Sequence, residues 1–260
     1  MFTWRHLLWL AICAGLVWAA VHAFNKKRPG LDRVLTTALI VAVISEIVKM
    51  AGVIELVPSK NGELLMPYLP MNHLPLHFCS LQIILIAAAK FMKDDRRRET
   101  LLAFMAPACV YGGILALLMP SIFTTTIPVE EAFKSPVAYQ FFFFHTMIIA
   151  LGLIIVRSDS IDWSRKHFRD TTLIIYLCGF ISIYLNSMLA SPTYADGKLV
   201  SVDFWTNFFF TYQNPLGIRI TQLWQWYLYL LIMALLAALL LYLFHMPLIR
   251  RKNRSPYSEN

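Results

Sequence analysis

Three side chains in this sequence suit acyl transfer or proton transfer: His77, Cys79 and His145. The first two stand in His73-Leu-Pro-Leu-His77-Phe-Cys79-Ser80, and the third follows four phenylalanines, Phe141 to Phe144. A thiolate attacks ester carbonyls well, and an imidazole is the side chain best suited to take its proton near neutral pH. Cys79 activated by His145 or His77 would form an acyl-thioester from a lipid ester. Either histidine alone would serve as a general base on a lipid hydroxyl. A thiol buried in apolar surroundings is otherwise an inert packing residue, so the same cysteine also reads as core.

Five more polar groups could hold a substrate. Glu46 and Lys49 are three residues apart, share a helical face and can pair. That pair would recognise a headgroup or simply lock two helices together. Tyr111, in Tyr111-Gly112-Gly113, and the amides of Asn186 and Gln225 complete the set. His73 and His77 are spaced to share an ion on a helix, but they lack the glutamate of the zinc-protease motif, and only His145 offers a third ligand. No metal and no cofactor is therefore assigned. Phosphate loops, dinucleotide fingerprints and nucleophile elbows are missing from the sequence.

The elements that must position these groups are membrane spans. The chain is 58% hydrophobic and 15% charged, against roughly 45–50% and about 25% for soluble domains. A soluble fold of this length could not hide so much apolar surface. The apolar residues fall in seven runs able to cross a core of about 30 Å: Leu7–Phe24, Val34–Val57, His73–Met92, Leu101–Pro120, Val137–Val156, Thr172–Ala190 and Gln222–His245. Lipid offers the backbone no hydrogen-bond partner, so each run is expected to be a helix. On a helical His73–Met92, His73, His77 and Ser80 share a face, while Cys79 lies about 200° around from His77. Any Cys–His pair would then form between helices. The four cysteines fall inside apolar runs, so no disulfide is expected.

Charge sets the orientation. Connectors with Lys26–Arg33, Lys90–Arg98, Arg157–Arg169 and Arg250–Arg254 hold 17 basic residues, and the alternating connectors hold five. Basic residues favour the cytoplasmic side, so the N-terminus is expected outside and the C-terminus in the cytoplasm. The fold class is thus an all-α polytopic membrane protein with seven transmembrane helices. Residues 1–249 form one transmembrane domain, and residues 250–260 form a basic, disordered cytoplasmic tail. Met1 to Ala23 resembles a signal peptide. Lys26, Lys27 and Arg28 follow at once, so it reads as an uncleaved first helix. The connector Ser191–Thr221 is dense in aromatics, including Phe204, Trp205 and Phe208–Phe210, which suits a segment lying at the interface or, the simpler reading, a plain re-entrant or packed loop. The net charge of +8 would suggest nucleic acid on a soluble protein. Here it belongs to the connectors, so the expected partner is membrane lipid and not nucleic acid. The expected location is the cell membrane, and nothing in the sequence sets an oligomeric state.

In this orientation Glu46, Lys49, His77, Cys79, His145, Asn186 and Gln225 come from five helices and all map to mid-depth or the outer half. The inner halves carry almost no such groups. One polar cavity open to the outside or the outer leaflet would account for this. Such a cavity fits a membrane-embedded lipid-modifying enzyme. It fits equally a transporter or lipid-binding protein that recognises a polar headgroup or small solute.

Leu-Pro-Leu-His77-Phe-Cys79-Ser-Leu, Tyr111-Gly112-Gly-Ile-Leu-Ala-Leu-Leu-Met-Pro120, Phe142-Phe-Phe-His145, and Asn186 with Pro192 resemble the YwaF-type bacterial integral membrane proteins. That family is similar to the eukaryotic transmembrane protein 164 family. The resemblance runs roughly from the second span to the sixth. The eukaryotic relatives look like acyltransferases that build polyunsaturated ether phospholipids with a Cys and a His inside the membrane. The resemblance therefore implies acyl transfer or ester cleavage on a phospholipid or glycolipid, with His77, Cys79 and His145 as the matching residues. The eukaryotic pattern places its cysteine directly before the first histidine. Here Leu76 occupies that position and Cys79 follows two residues after His77. The two histidines carry over, and the nucleophile is left open.

Overall fold

A computed structural model describes residues 2–59, 62, 64–215 and 217–253 of the chain. In chain order the helices and strands are α1 (Trp4–Lys27), α2 (Leu31–Val53), β1 (Glu55–Pro58), β2 (Leu65–Tyr68), α3 (Leu81–Phe91), α4 (Asp95–Leu118), α5 (Ile122–Thr125), α6 (Pro136–Arg157), α7 (Arg165–Met188), β3 (Ala190–Ala195), β4 (Lys198–Phe204) and α8 (Leu223–Asn253). Six described helices, α1, α2, α4, α6, α7 and α8, are long and apolar enough to cross a membrane. The protein is a mostly helical polytopic membrane protein. The end of the expected basic tail lies outside the described residues.

Helix ends follow local chemistry. Thr3 caps α1 by accepting from the His6 amide, and Asp94 caps α4 by accepting from the Arg97 amide at 3.0 Å. Pro136 begins α6, where its missing N–H is harmless. α2 stops at Val53 because Ile54 is already extended and leads into the β1–β2 hairpin.

The expected third span is the main correction. His73–Met92 is not one helix. Met71–His73 forms a single 3-10 turn, residues 74–80 are turns, and the α-helix begins only at Leu81. Pro75 separates His73 from any helix that follows. A residue before proline is pushed out of the α region, and Leu74 is extended at φ −58°, ψ 143°. The remaining helix has 11 residues, about 16 Å at the usual rise, which is short of a bilayer core. The shared face expected for His73, His77 and Ser80 does not exist, and His73 and His77 lose their helical i, i+4 relation. Two connectors carry local strand structure: β1–β2 and β3–β4 are antiparallel hairpins within the all-α fold. The aromatic connector is built from β3–β4 and a 3-10 turn, Phe208–Phe210.

The chain forms two compact units, one running through Asp162 and one starting at Trp163. In the first, α6 is central and packs against α1, α2 and α4. Close approach to α4 depends on glycine. A Cβ at Gly152 would stand 2.7 Å from the Ala106 carbonyl oxygen, and one at Gly113 would stand 2.4 Å from Ile149 and 3.1 Å from the His145 carbonyl oxygen. Against α1, Trp9 stacks on Phe142 with ring centres 4.6 Å apart and donates to the Ala132 carbonyl at 3.0 Å. His6 donates Nε2–H to the Leu117 carbonyl at 2.8 Å, satisfying an orphan acceptor in the last turn of α4.

In the second unit α7 packs on α8. Tyr176 on α7 donates to the Ala234 carbonyl on α8 at 3.2 Å. Large apolar side chains point outward from both helices, including Leu173, Leu177, Leu231 and Leu235. Exposed leucines at this density are the mark of a lipid-facing surface.

Candidate functional site in the first unit

The irregular Met71–Ser80 segment carries His73, His77 and Cys79, and it is tied to both α2 and α4. The first is on α2. Lys49 Nζ lies 2.7 Å from a Glu46 carboxylate oxygen and donates to the His73 carbonyl at 3.0 Å. Both side chains are largely buried. The ammonium therefore answers a carboxylate on its own helix and an orphan carbonyl from the segment, as a charge in such surroundings must. Next to Glu46, Ser45 accepts from Gln140 Nε2 at 2.8 Å, which links α2 to α6.

The second tie is on α4. The Cys79 thiol donates to the Gly112 carbonyl at 3.4 Å. A Cβ on Gly112 would stand 3.0 Å from the Phe78 ring and 3.5 Å from Cys79 Sγ, so glycine admits the segment to the α4 backbone. One turn earlier, the Cys109 thiol donates to Gln82 Oε1 at 3.2 Å, and Gln82 Nε2 donates to the Phe78 carbonyl at 3.4 Å. Gln82 and Cys109 are fully buried. The sequence reading passed over both. A glutamine inside an apolar run was the available signal, because it requires polar partners.

His145 sits on α6, its imidazole against the Phe141 and Phe144 rings with centres 4.3 and 5.4 Å away. Its Nδ1 lies 2.7 Å from the Phe141 carbonyl. A carbonyl only accepts, so Nδ1 carries a proton, and in the neutral ring the lone pair is then at Nε2. Among the described residues Nε2 has no hydrogen-bond partner. This arrangement leaves a lone pair able to take a proton.

α4 adjoins both groups. Gly112 faces Cys79, and Gly113 faces the His145 turn of α6. Successive helical residues point about 100° apart. The described hydrogen bond of Cys79 goes to Gly112 and to neither imidazole. His77 is half-buried in the turn, with its carbonyl accepting from the Leu81 amide at 2.8 Å. Tyr111 is half-buried on α4 beside the glycine pair. Among the described residues no three His, Cys, Asp or Glu side chains gather as a metal site.

The two amides belong to the second unit and are occupied there. Asn186 is fully buried. Its Nδ2 donates to the Phe208 carbonyl at 3.1 Å and to Thr211 at 3.0 Å. Its Oδ1 accepts from Thr206 at 3.0 Å and from the Phe208 amide at 2.9 Å. It fastens the aromatic connector to α7. Gln225 Oε1 accepts from the Thr221 and Gln222 amides at 2.9 and 3.1 Å, an N-terminal capping role for α8.

Buried polar groups also occur at the opposite end of α7, where the sequence reading expected almost none. His167, Thr171 and His245 are buried. His245 Nδ1 donates to the Leu241 carbonyl at 2.9 Å, and its Nε2 lies 3.5 Å from the Thr171 hydroxyl. Their positions at span ends, where a charged connector meets an apolar run, concealed them.

The profile of the TMEM164 family matches residues 1–244 of the chain. No curated protein and no solved structure matches it.

Proposed function

The chain belongs to the TMEM164 family, and we propose that it is a membrane-embedded lipid-modifying enzyme that transfers or hydrolyses an acyl group of a phospholipid or glycolipid. The observation that carries the reading is His145, whose Nδ1–H is held by the Phe141 carbonyl so that Nε2 stands free as a base. In this reading Nε2 takes the proton from the nucleophile, Cys79 or His77. With Cys79, the sulfur bonds to the ester carbonyl carbon, the carbon–oxygen bond to the donor lipid breaks, and the departing oxygen takes the proton from the imidazolium. An acceptor hydroxyl, or water, then attacks the thioester and returns the thiol. Glu46 and Lys49 would face the polar headgroup, with Tyr111 lining the approach.

Seven crossings belong to the same proposal, with the N-terminus outside and the C-terminus in the cytoplasm on the charge asymmetry of the connectors. The third crossing would be the broken element formed by the Met71–Ser80 turns and α3. Non-helical backbone at membrane depth is tolerated only where protein or a polar cavity covers it, which suits a site at that break. The test is lipidomics of a deletion strain rescued with wild type, His145→Ala or Cys79→Ala. Loss of the wild-type acyl profile in the His145 variant supports the enzyme. A profile matching wild-type rescue in both variants removes it.

A second reading, a transporter or lipid-binding protein, draws on the buried His167, Thr171 and His245. A solute path needs polar groups at both ends of the spans. Substrate flux in proteoliposomes without any covalent change to lipid would favour it.

A further inference from the structure

The β1–β2 hairpin is apolar on both faces. Its register sets Glu55 opposite Tyr68, Leu56 opposite Pro67, Val57 opposite Met66, and Pro58 opposite Leu65. Side chains alternate across a strand, so one face carries Leu56, Pro58, Leu65 and Pro67. The other carries Val57, Met66 and Tyr68 beside Glu55. Most of these side chains are uncovered, with Leu56 and Leu65 each 66% exposed and Met66 54% exposed, while Val57 is half-buried. An isolated two-stranded hairpin is marginal at best in water. An open apolar surface of this kind marks contact with something apolar.

The position of the hairpin identifies that surface. Ile40, Ile44 and Ile47 are exposed along α2 at spacings of four and three, which is one helical face. Ile54, seven residues after Ile47 and also exposed, continues that strip to the start of β1. The hairpin therefore extends the lipid-facing stripe of α2. The run from Leu64 to Met71 holds no charged residue, and it includes Tyr68, a residue type favoured where hydrocarbon meets headgroups. A partner protein would need a new surface, whereas the bilayer already adjoins this one.

We propose that the β1–β2 hairpin lies in the bilayer interface as an anchor, with its apolar side chains against phospholipid acyl chains and Glu55 at the headgroups. It leads directly into the Met71–Ser80 segment and so would fix the depth of that segment. The inference does not depend on the catalytic reading.

The test places the photoreactive residue p-benzoylphenylalanine singly at Leu56 and at Leu65 in the full chain, reconstituted in phosphatidylcholine and phosphatidylglycerol vesicles. The same residue at Ile44 on α2 is the positive control. After irradiation, mass spectrometry is expected to find phospholipid adducts at both hairpin positions in yields comparable with Ile44. Unmodified chain at either hairpin position while Ile44 reacts places the hairpin in water and overturns the proposal. A chain-to-chain cross-link at either position assigns the surface to a second copy and also overturns it.

Discussion

His145 Nδ1 lies 2.7 Å from the carbonyl of Phe141, one turn earlier on α6. The contact fixes the ring's tautomer without using a second side chain, and it turns Nε2 away from its own helix. If Nε2 is the base, His145→Ala slows formation of a hydroxylamine-labile acyl adduct on the protein by about 10²–10⁴-fold, the usual worth of general-base catalysis. Intact-mass time courses in labelled phospholipid vesicles measure this. An unchanged rate excludes His145 as the base.

Close packing of α4 on α6 predicts an asymmetry among glycines. Gly152→Ala would push a Cβ to 2.7 Å from the backbone oxygen of Ala106, and overpacking of this kind costs about 1–3 kcal/mol. Gly15→Ala meets nothing within 4 Å. It should be neutral or stabilising by up to about 1 kcal/mol, since alanine is the better helix former. Unfolding in detergent micelles compares the two, and equal effects would contradict the packing.

The Glu46–Lys49 pair predicts non-additivity. Each single change, Glu46→Gln or Lys49→Met, strands a charge in mostly buried surroundings and should destabilise by more than about 1 kcal/mol. The double variant should lose less than the sum, by a coupling of about 0.5–3 kcal/mol. A double-mutant cycle on unfolding free energies checks this, and strict additivity would mean that the pair is idle.

Asn186 and Gln225 should behave as structural residues of the second unit. Asn186→Ala removes the acceptor that serves the buried Thr206 hydroxyl and the Phe208 amide, at about 1–3 kcal/mol for each hydrogen bond lost. Gln225→Ala removes a helix cap, worth about 0.5–2 kcal/mol. Both losses are read from unfolding transitions. A Gln225→Ala protein of normal stability but altered substrate affinity would return that residue to the site.

Reading the sequence alone reached the membrane class, the family resemblance and six of the helices, because apolar length and charge distribution are linear properties of a chain. It also named Glu46 and Lys49 as a pair, since a separation of three residues on a helix implies a shared face. It failed at Pro75. The proline is compatible with the first turn of a helix, and only the packed structure showed that the chain before α3 stays irregular, held by Lys49 at His73 and by Gly112 at Cys79. Hydrogen-bond partners far apart in sequence were equally hidden. Whether Asn186 met a substrate or the backbone of Phe208, and whether Cys109 met Gln82, depended on contacts made only when distant segments packed. Composition and periodicity record which groups must leave water, and tertiary structure decides which partner each then finds.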